Sequence, residues 1–177
     1  AELAAIVDEA HKHGLPVVAH AHRPEEIRRG LKAGVDCFEH TGLAASPEYP
    51  PDVIAALRER TGNMASGPLF WTPTIEGLYN FPYTVKNHEF IDGTDWHVGL
   101  TPAIVDDIRQ SLAHPERIGY FQQTPQRWPT LQRKFQQLRE SGVLLLIGTD
   151  SGIPMKFHSG STWNELDVWV NKLGVPA

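Results

Sequence analysis

Short apolar runs that end in histidine or aspartate, set apart by amphipathic helical segments, constrain this chain more than any other feature. Val17-Val18-Ala19 leads into His20-Ala21-His22, and Val35 to Phe38 leads into Glu39-His40. Leu144-Leu145-Leu146-Ile147 leads into Gly148-Thr149-Asp150-Ser151-Gly152. Continuous apolar strands are expected where both faces of a sheet are covered. Between the strands, Leu3, Ile6, Val7 and Ala10 repeat at helical spacing before Gly14. Pro24 to Ala33 reads as a second helix, with Glu25 and Glu26 at its start and Gly34 beyond its end. Such alternation predicts an α/β protein with a parallel sheet and helices on its faces.

The pattern continues along the chain. Asp52 is placed to cap a helix running to about Arg60. Leu69 to Ile75 is a strand candidate interrupted by Pro73, which argues for a strand ending near Thr72 or for an edge position. Helices are expected over Pro102–Leu112 and Pro125–Glu140, a strand over Val143–Ile147, and a last helix over Trp163–Leu173. From Glu76 to Pro115 periodicity is otherwise weak, yet Tyr79, Phe81, Tyr83, Phe90 and Trp96 gather there. An aromatic, irregular connection of that length suggests a lid over a site, or packing against outer helices. Four strands do not close a barrel, and a complete (β/α)8 TIM barrel takes about 250 residues. The first residue is Ala1 and helical patterns run into both ends, so residues 1–177 read as one partial (β/α) barrel domain truncated at both ends.

The net charge of −5 gives no reason to expect nucleic acid or an anionic membrane surface as partner. No apolar run reaches the length of a membrane span. Cys37 is the single cysteine, which excludes an internal disulfide and favours a reducing, cytoplasmic setting.

His20 and His22 stand two apart on a strand and so point to the same side. His40 ends the next strand. Adjacent parallel strands lie about 4.8 Å apart, so imidazoles from neighbouring strand tops can reach one ion. Asp150 follows the most apolar strand, where a carboxylate suits a barrel mouth better than a core. Each has a plainer alternative: a hydrogen-bonded structural histidine, a strand-capping His40, a turn aspartate supported by Ser151 and Gly152. His11 and His13 also form an HxH pair, but on a helix they face apart and favour its C-terminus.

Val17 to His40, with His20-Ala21-His22, Gly34-Val35-Asp36 and Glu39-His40, resembles strands five and six of the amidohydrolase superfamily. The nearest branch is the imidazolonepropionase-like and prolidase-like one. Trp71-Thr72-Pro73-Thr74 is similar to its strand seven, and Gly148-Thr149-Asp150-Ser151-Gly152 to its strand eight. The resemblance implies a hydrolase holding one or two divalent ions, zinc foremost, with His20, His40 and Asp150 as ligands. Asp150 would also be the acid/base, and His22 would neighbour the site and contact substrate, with geometry leaving open that it is a ligand. The superfamily's strand-one HxH pair and strand-four lysine would precede Ala1. His158, Tyr79 and Tyr83 are further candidates for substrate contact. The expected activity is cleavage of a C–N bond in a small amide, cyclic amide or dipeptide. A non-catalytic metal-binding or structural fragment, a deaminase and a lactonase are the alternatives. The expected partner is a small-molecule substrate, and homo-oligomerisation stays open.

Overall fold

The computed structural model describes residues 2–86, 95–153 and 156–176. It divides into two compact units: Ala1–Thr74 with Thr130–Ile147, and Ile75–Pro129 with Gly148–Ala177.

The first unit holds α1 (Glu2–Lys12), β1 (Val18–His20), α2 (Pro24–Ala33), β2 (Cys37–Glu39), α3 (Pro51–Gly62), β3 (Phe70–Thr72) and β4 (Leu144–Leu145). The four strands form a parallel sheet in the order β1-β2-β3-β4. Register pairs His20 with Glu39, and Glu39 with Thr72, so these strand ends lie side by side. β1 begins later than hydropathy suggests. The Val17 amide is taken by the Asp36 carboxylate at 2.7 Å, and His11 meets the same carboxylate oxygen at 2.8 Å. β3 stops at Thr72, immediately before Pro73.

Trp71 and Phe38 are fully buried at the centre of this unit, their rings 5.0 Å apart, with Tyr49 against Trp71 at 5.7 Å. Val7, Ile27, Val53, Leu57 and Leu138 complete the core around them. Helix α2 comes so close to β2 that a Cβ on Gly30 would sit 2.5 Å from the Phe38 ring. Only glycine permits that approach without displacing a core aromatic.

Two expectations are corrected. β1 and β4 are not buried strands: Val18 is 52% and Leu144 51% exposed. Among the described residues they are the two edges of the four-stranded sheet, and β2 and β3 have neighbours on both flanks. Asp52 does not cap α3, which opens with Pro51 flanked by Pro50. Asp52 instead forms a two-pronged ion pair with Arg28 at 2.7 and 3.0 Å, tying α3 to α2.

The second unit holds α4 (Glu76–Lys86), α5 (Pro102–Ala113) and α7 (Ser161–Asp167), which continues as a π-helical turn over Val168–Lys172. Between α5 and α7 in the chain, α6 (Gly119–Glu140) contributes to both units, which divide at Pro129 and Thr130. It starts six residues before the expected Pro125 and runs through Pro125 and Pro129. Residues 76–86, expected to lack periodicity, are helical. The first N–H groups of that helix have a buried carboxylate as acceptor, described below. Phe90 lies outside the described residues, as does much of the aromatic stretch in which a lid was expected. No helix among the described residues is long and apolar enough to cross a membrane.

Candidate metal centre

The C-terminal ends of β1 and β2 bring His20, His22 and His40 together. One ring nitrogen of each lies within 4.8 Å of one from each of the others. His20 stands edge-on to both neighbours, with ring centroids at 4.5 and 4.4 Å, while His22 and His40 stack at 4.9 Å. The His40 Nε2 and His20 Nδ1 atoms are 2.8 Å apart and share a hydrogen bond. The other nitrogen of His40 bonds the Thr74 hydroxyl at 2.7 Å, which fixes the ring's rotation. Exposure grades inward from His20 through His22 to His40, which is 9% exposed.

This donor set suits a zinc-like cation. Zinc–nitrogen distances of about 2.0–2.1 Å place tetrahedral donors roughly 3.3 Å apart, and three imidazoles with an open fourth position make a hydrolytic site.

Backbone shape, as much as side-chain type, builds the cluster. His40 lies at φ 73° and Thr74 at φ 50°, each just beyond a strand end. The turn throws the His40 ring toward β1. It also presents the His40 carbonyl to the indole N–H of buried Trp71 at 2.7 Å, while the His40 amide donates to the Thr72 carbonyl at 2.9 Å. His22 is set by a different device. Its amide and that of Arg23 both donate to the Glu26 carboxylate, at 2.7 and 2.8 Å, at the start of α2. The loop after β2 then crosses the loop after β1. Gly42 has φ 80°, and a Cβ there would lie 2.7 Å from the His22 carbonyl oxygen. The buried Lys134 amine pins this loop by donating to the Leu43 carbonyl at 2.7 Å.

Gly42→Ala is therefore expected to displace the His22 loop. It should lower divalent-metal affinity by roughly tenfold or more and stability by about 1–2 kcal/mol. Zinc titration alongside urea denaturation measures both. Unchanged affinity would show that the His22 loop does not shape the centre.

Asp150, Tyr79, Tyr83 and His158 all belong to the second unit. Asp150 is exposed and also left-handed, at φ 55°. The hydroxyls of its neighbours Thr149 and Ser151 bond each other at 2.7 Å. The Thr149 carbonyl accepts a hydrogen bond from the Lys156 amine, which is sealed from solvent. Tyr79 packs edge-on against Trp128 on α6, with ring centroids 6.0 Å apart. Tyr83 falls on α4, and its side chain lies outside the described residues. His158 is exposed and lies over Gly152, whose Cβ position is 3.8 Å from the imidazole Nε2.

Sequence reasoning missed the charged groups beneath Asp150. Glu165 is fully buried and accepts from the amides of Ile75 and Glu76 at 3.1 and 2.6 Å and from the Trp169 indole at 2.9 Å. Glu76 lies 3.9 Å from the Lys156 amine. Burial pushes the Lys156 amine down and the Glu76 and Glu165 carboxyls up. Burial also raises the Tyr120 phenol, which has Arg127 and Asp150 within electrostatic reach. One signal was legible for Glu165. It stands three and four residues before Val168 and Trp169, on the apolar face of the last helix.

Comparison with known proteins now bears on this geometry. A Xaa-Pro dipeptidase with methionine bound in its active site matches at 25% identity and a TM-score of 0.56, over 99% of this chain and 33% of that one. A Bifidobacterium longum protein described as a candidate prolidase matches at 27% identity and a TM-score of 0.58, over 98% of this chain and 35% of its own. The ochratoxinase of A. niger shares the fold, with a TM-score of 0.58 at 22% identity over 98% of this chain and 30% of its own. Uncharacterized proteins of Mycobacterium tuberculosis and Mycobacterium bovis are 28% identical over 151 residues, which is 85% of this chain and 30% of theirs. No family model matches. The chain thus spans about a third of the length of the proteins it matches, and over that span it has an amidohydrolase-like mixed α/β fold.

Proposed function

We propose that this chain is the part of a metal-dependent hydrolase barrel, of the amidohydrolase type, that carries the strand-end histidines and the acid/base aspartate. The observation behind this reading is the convergence of His20, His22 and His40 at the C-terminal ends of adjacent parallel strands. Active sites of (β/α)8 barrels are built at that end of the strands. The likeness to a Xaa-Pro dipeptidase supports a C–N bond, in an amide or dipeptide, as the one cleaved.

His20 and His40 would hold the cation with Asp150, and the clustering of His22 with them supports it as a further donor. A bound divalent cation supplies Lewis-acid polarisation of a carbonyl and a water acidified toward pH 7. Thr74 orients His40 through its second nitrogen. Asp150, one carboxylate serving twice, takes the proton of the attacking water and passes it to the leaving amine nitrogen. Its left-handed backbone is held by the Lys156 bond to Thr149.

Asp150→Asn in the full-length protein tests this assignment, since the 177-residue segment alone is not expected to be active. It is expected to lower kcat by a factor of about 10²–10⁴ with the thermal melt unchanged. Metal analysis of the same preparations should find roughly one or two divalent ions per chain. Retained turnover in the variant would remove Asp150 from the mechanism.

A further inference from the structure

Lysine is rarely sealed inside a protein, because its ammonium is costly to take out of water. Lys156 is only 2% exposed. Three of its hydrogen bonds close the turn that carries Asp150. Its amine donates to the Thr149 carbonyl, its backbone amide donates to the Ile153 carbonyl at 3.1 Å, and its carbonyl accepts from the Gly152 amide at 3.0 Å. Asp150 itself sits at φ 55°. A residue other than glycine keeps that conformation where its surroundings over-determine it.

The lysine stem reaches Thr149 along the first turn of α4. Glu76, the first residue of that helix, lies 3.9 Å from the amine. Gly77 follows it. A Cβ there would stand 2.6 Å from Lys156 Cε, 3.2 Å from its Cγ and 2.9 Å from the Phe81 ring. Phe81 packs edge-on against Tyr120 and Phe121, with centroids 5.2 Å away in both cases, so the far wall of this slot is itself held. Gly77 is helical and not left-handed, so its lack of a side chain serves space rather than backbone shape. Every residue of this arrangement lies within the second unit.

We propose that Lys156 is a positioning residue for Asp150, and that Gly77 is the seat on α4 that lets it act as one. The first turn of the helix holds the lysine stem, the amine holds the Thr149 carbonyl, and the Asp150 carboxylate is thereby aimed. This rests on the hydrolase reading above and adds to it the helix that sets the acid/base. A side chain at residue 77 pushes the stem aside and breaks the chain of contacts at its start.

The test uses the full-length protein with Lys156→Met, with Gly77→Ala and with both changes. Hydrogen–deuterium exchange reads the amides of residues 148–153, and steady-state kinetics use the dipeptide methionyl-proline. Each single variant should speed exchange there by about tenfold or more. Each should lower kcat by about 10–100-fold and leave KM within about threefold, since a misaimed group acts on the chemical step. Gly77→Ala should do so with the thermal melt unchanged or raised, because alanine favours a helix over glycine. It decides alone if Lys156→Met fails to fold. The double variant should be no worse than the worse single one, the mark of one shared contact. Unchanged exchange at 148–153 in Gly77→Ala, or losses that multiply in the double variant, would overturn the proposal. Faster exchange with kcat unchanged removes Asp150 from the mechanism and leaves the positioning standing. A parent protein inert toward the dipeptide counts against the hydrolase reading, and exchange then decides the positioning by itself.

Discussion

Replacing His40 by asparagine is expected to strip the centre of its cation and stop turnover. Asparagine suits the test because it tolerates the left-handed backbone, at φ 73°, that this position requires. The main-chain bonds of residue 40 to Trp71 and Thr72 can then persist, and the change falls on the imidazole. Three donors become two, and the bonds to His20 at 2.8 Å and Thr74 at 2.7 Å are lost together. Removing a partner that merely orients a ligand costs about 10–100-fold in affinity. Loss of the donor itself should exceed about 100-fold. Thr74→Val supplies the internal scale, since it removes only the orienting bond and should fall within the 10–100-fold band. Zinc retained after dialysis, read by elemental analysis, measures both variants, and circular dichroism confirms the fold. A His40→Asn protein that keeps its full metal complement would dissolve the proposed centre.

The largest stability effect is expected at Glu165. Its carboxylate is fully buried and serves three donors: two amides where α4 begins and the Trp169 indole. The start of α4 also carries the positive end of the helix dipole, which favours a negative group there. Glu165→Ala leaves three buried N–H groups without that acceptor and opens a cavity. Each orphaned donor costs about 1–3 kcal/mol, and breaking such a charged arrangement typically costs about 3–5 kcal/mol in all. Glu165→Gln keeps the shape and one acceptor oxygen, so about half that loss is expected. Urea denaturation followed by tryptophan fluorescence reads both. A loss under about 1 kcal/mol for Glu165→Ala would mean that α4 does not depend on this carboxylate.

The parts of this molecule governed by local pattern were legible before any coordinates. The helix over Pro24–Ala33 was marked by its proline, its acidic first turn and Gly34, which sits in the left-handed cap the pattern requires. The parallel sheet followed from alternation, and the grouping of His20 with His40 from strand adjacency. Parts governed by distant partners were not legible. Nothing near Glu76 in the chain signals that Glu165, 89 positions later, will accept its amide and begin a helix there. Exposure of β1 and β4 was missed because hydropathy reports what a strand prefers, not whether a neighbour is supplied. Asp52 looked like a cap because of its residue type, but Pro50 and Pro51 had already set the helix start and freed its carboxylate for Arg28. Lys134 shares a helix face with Leu131 and Leu138, a pattern that usually predicts an apolar residue. Its buried amine instead donates to the Leu43 carbonyl.

The positive φ angles at His40 and Thr74 bear on any attempt to move this centre elsewhere. Grafting three histidines onto the ordinary extended tips of another scaffold would aim the third ring the wrong way. A transplant has to copy dihedral angles along with residue names, so the donor loops must travel whole.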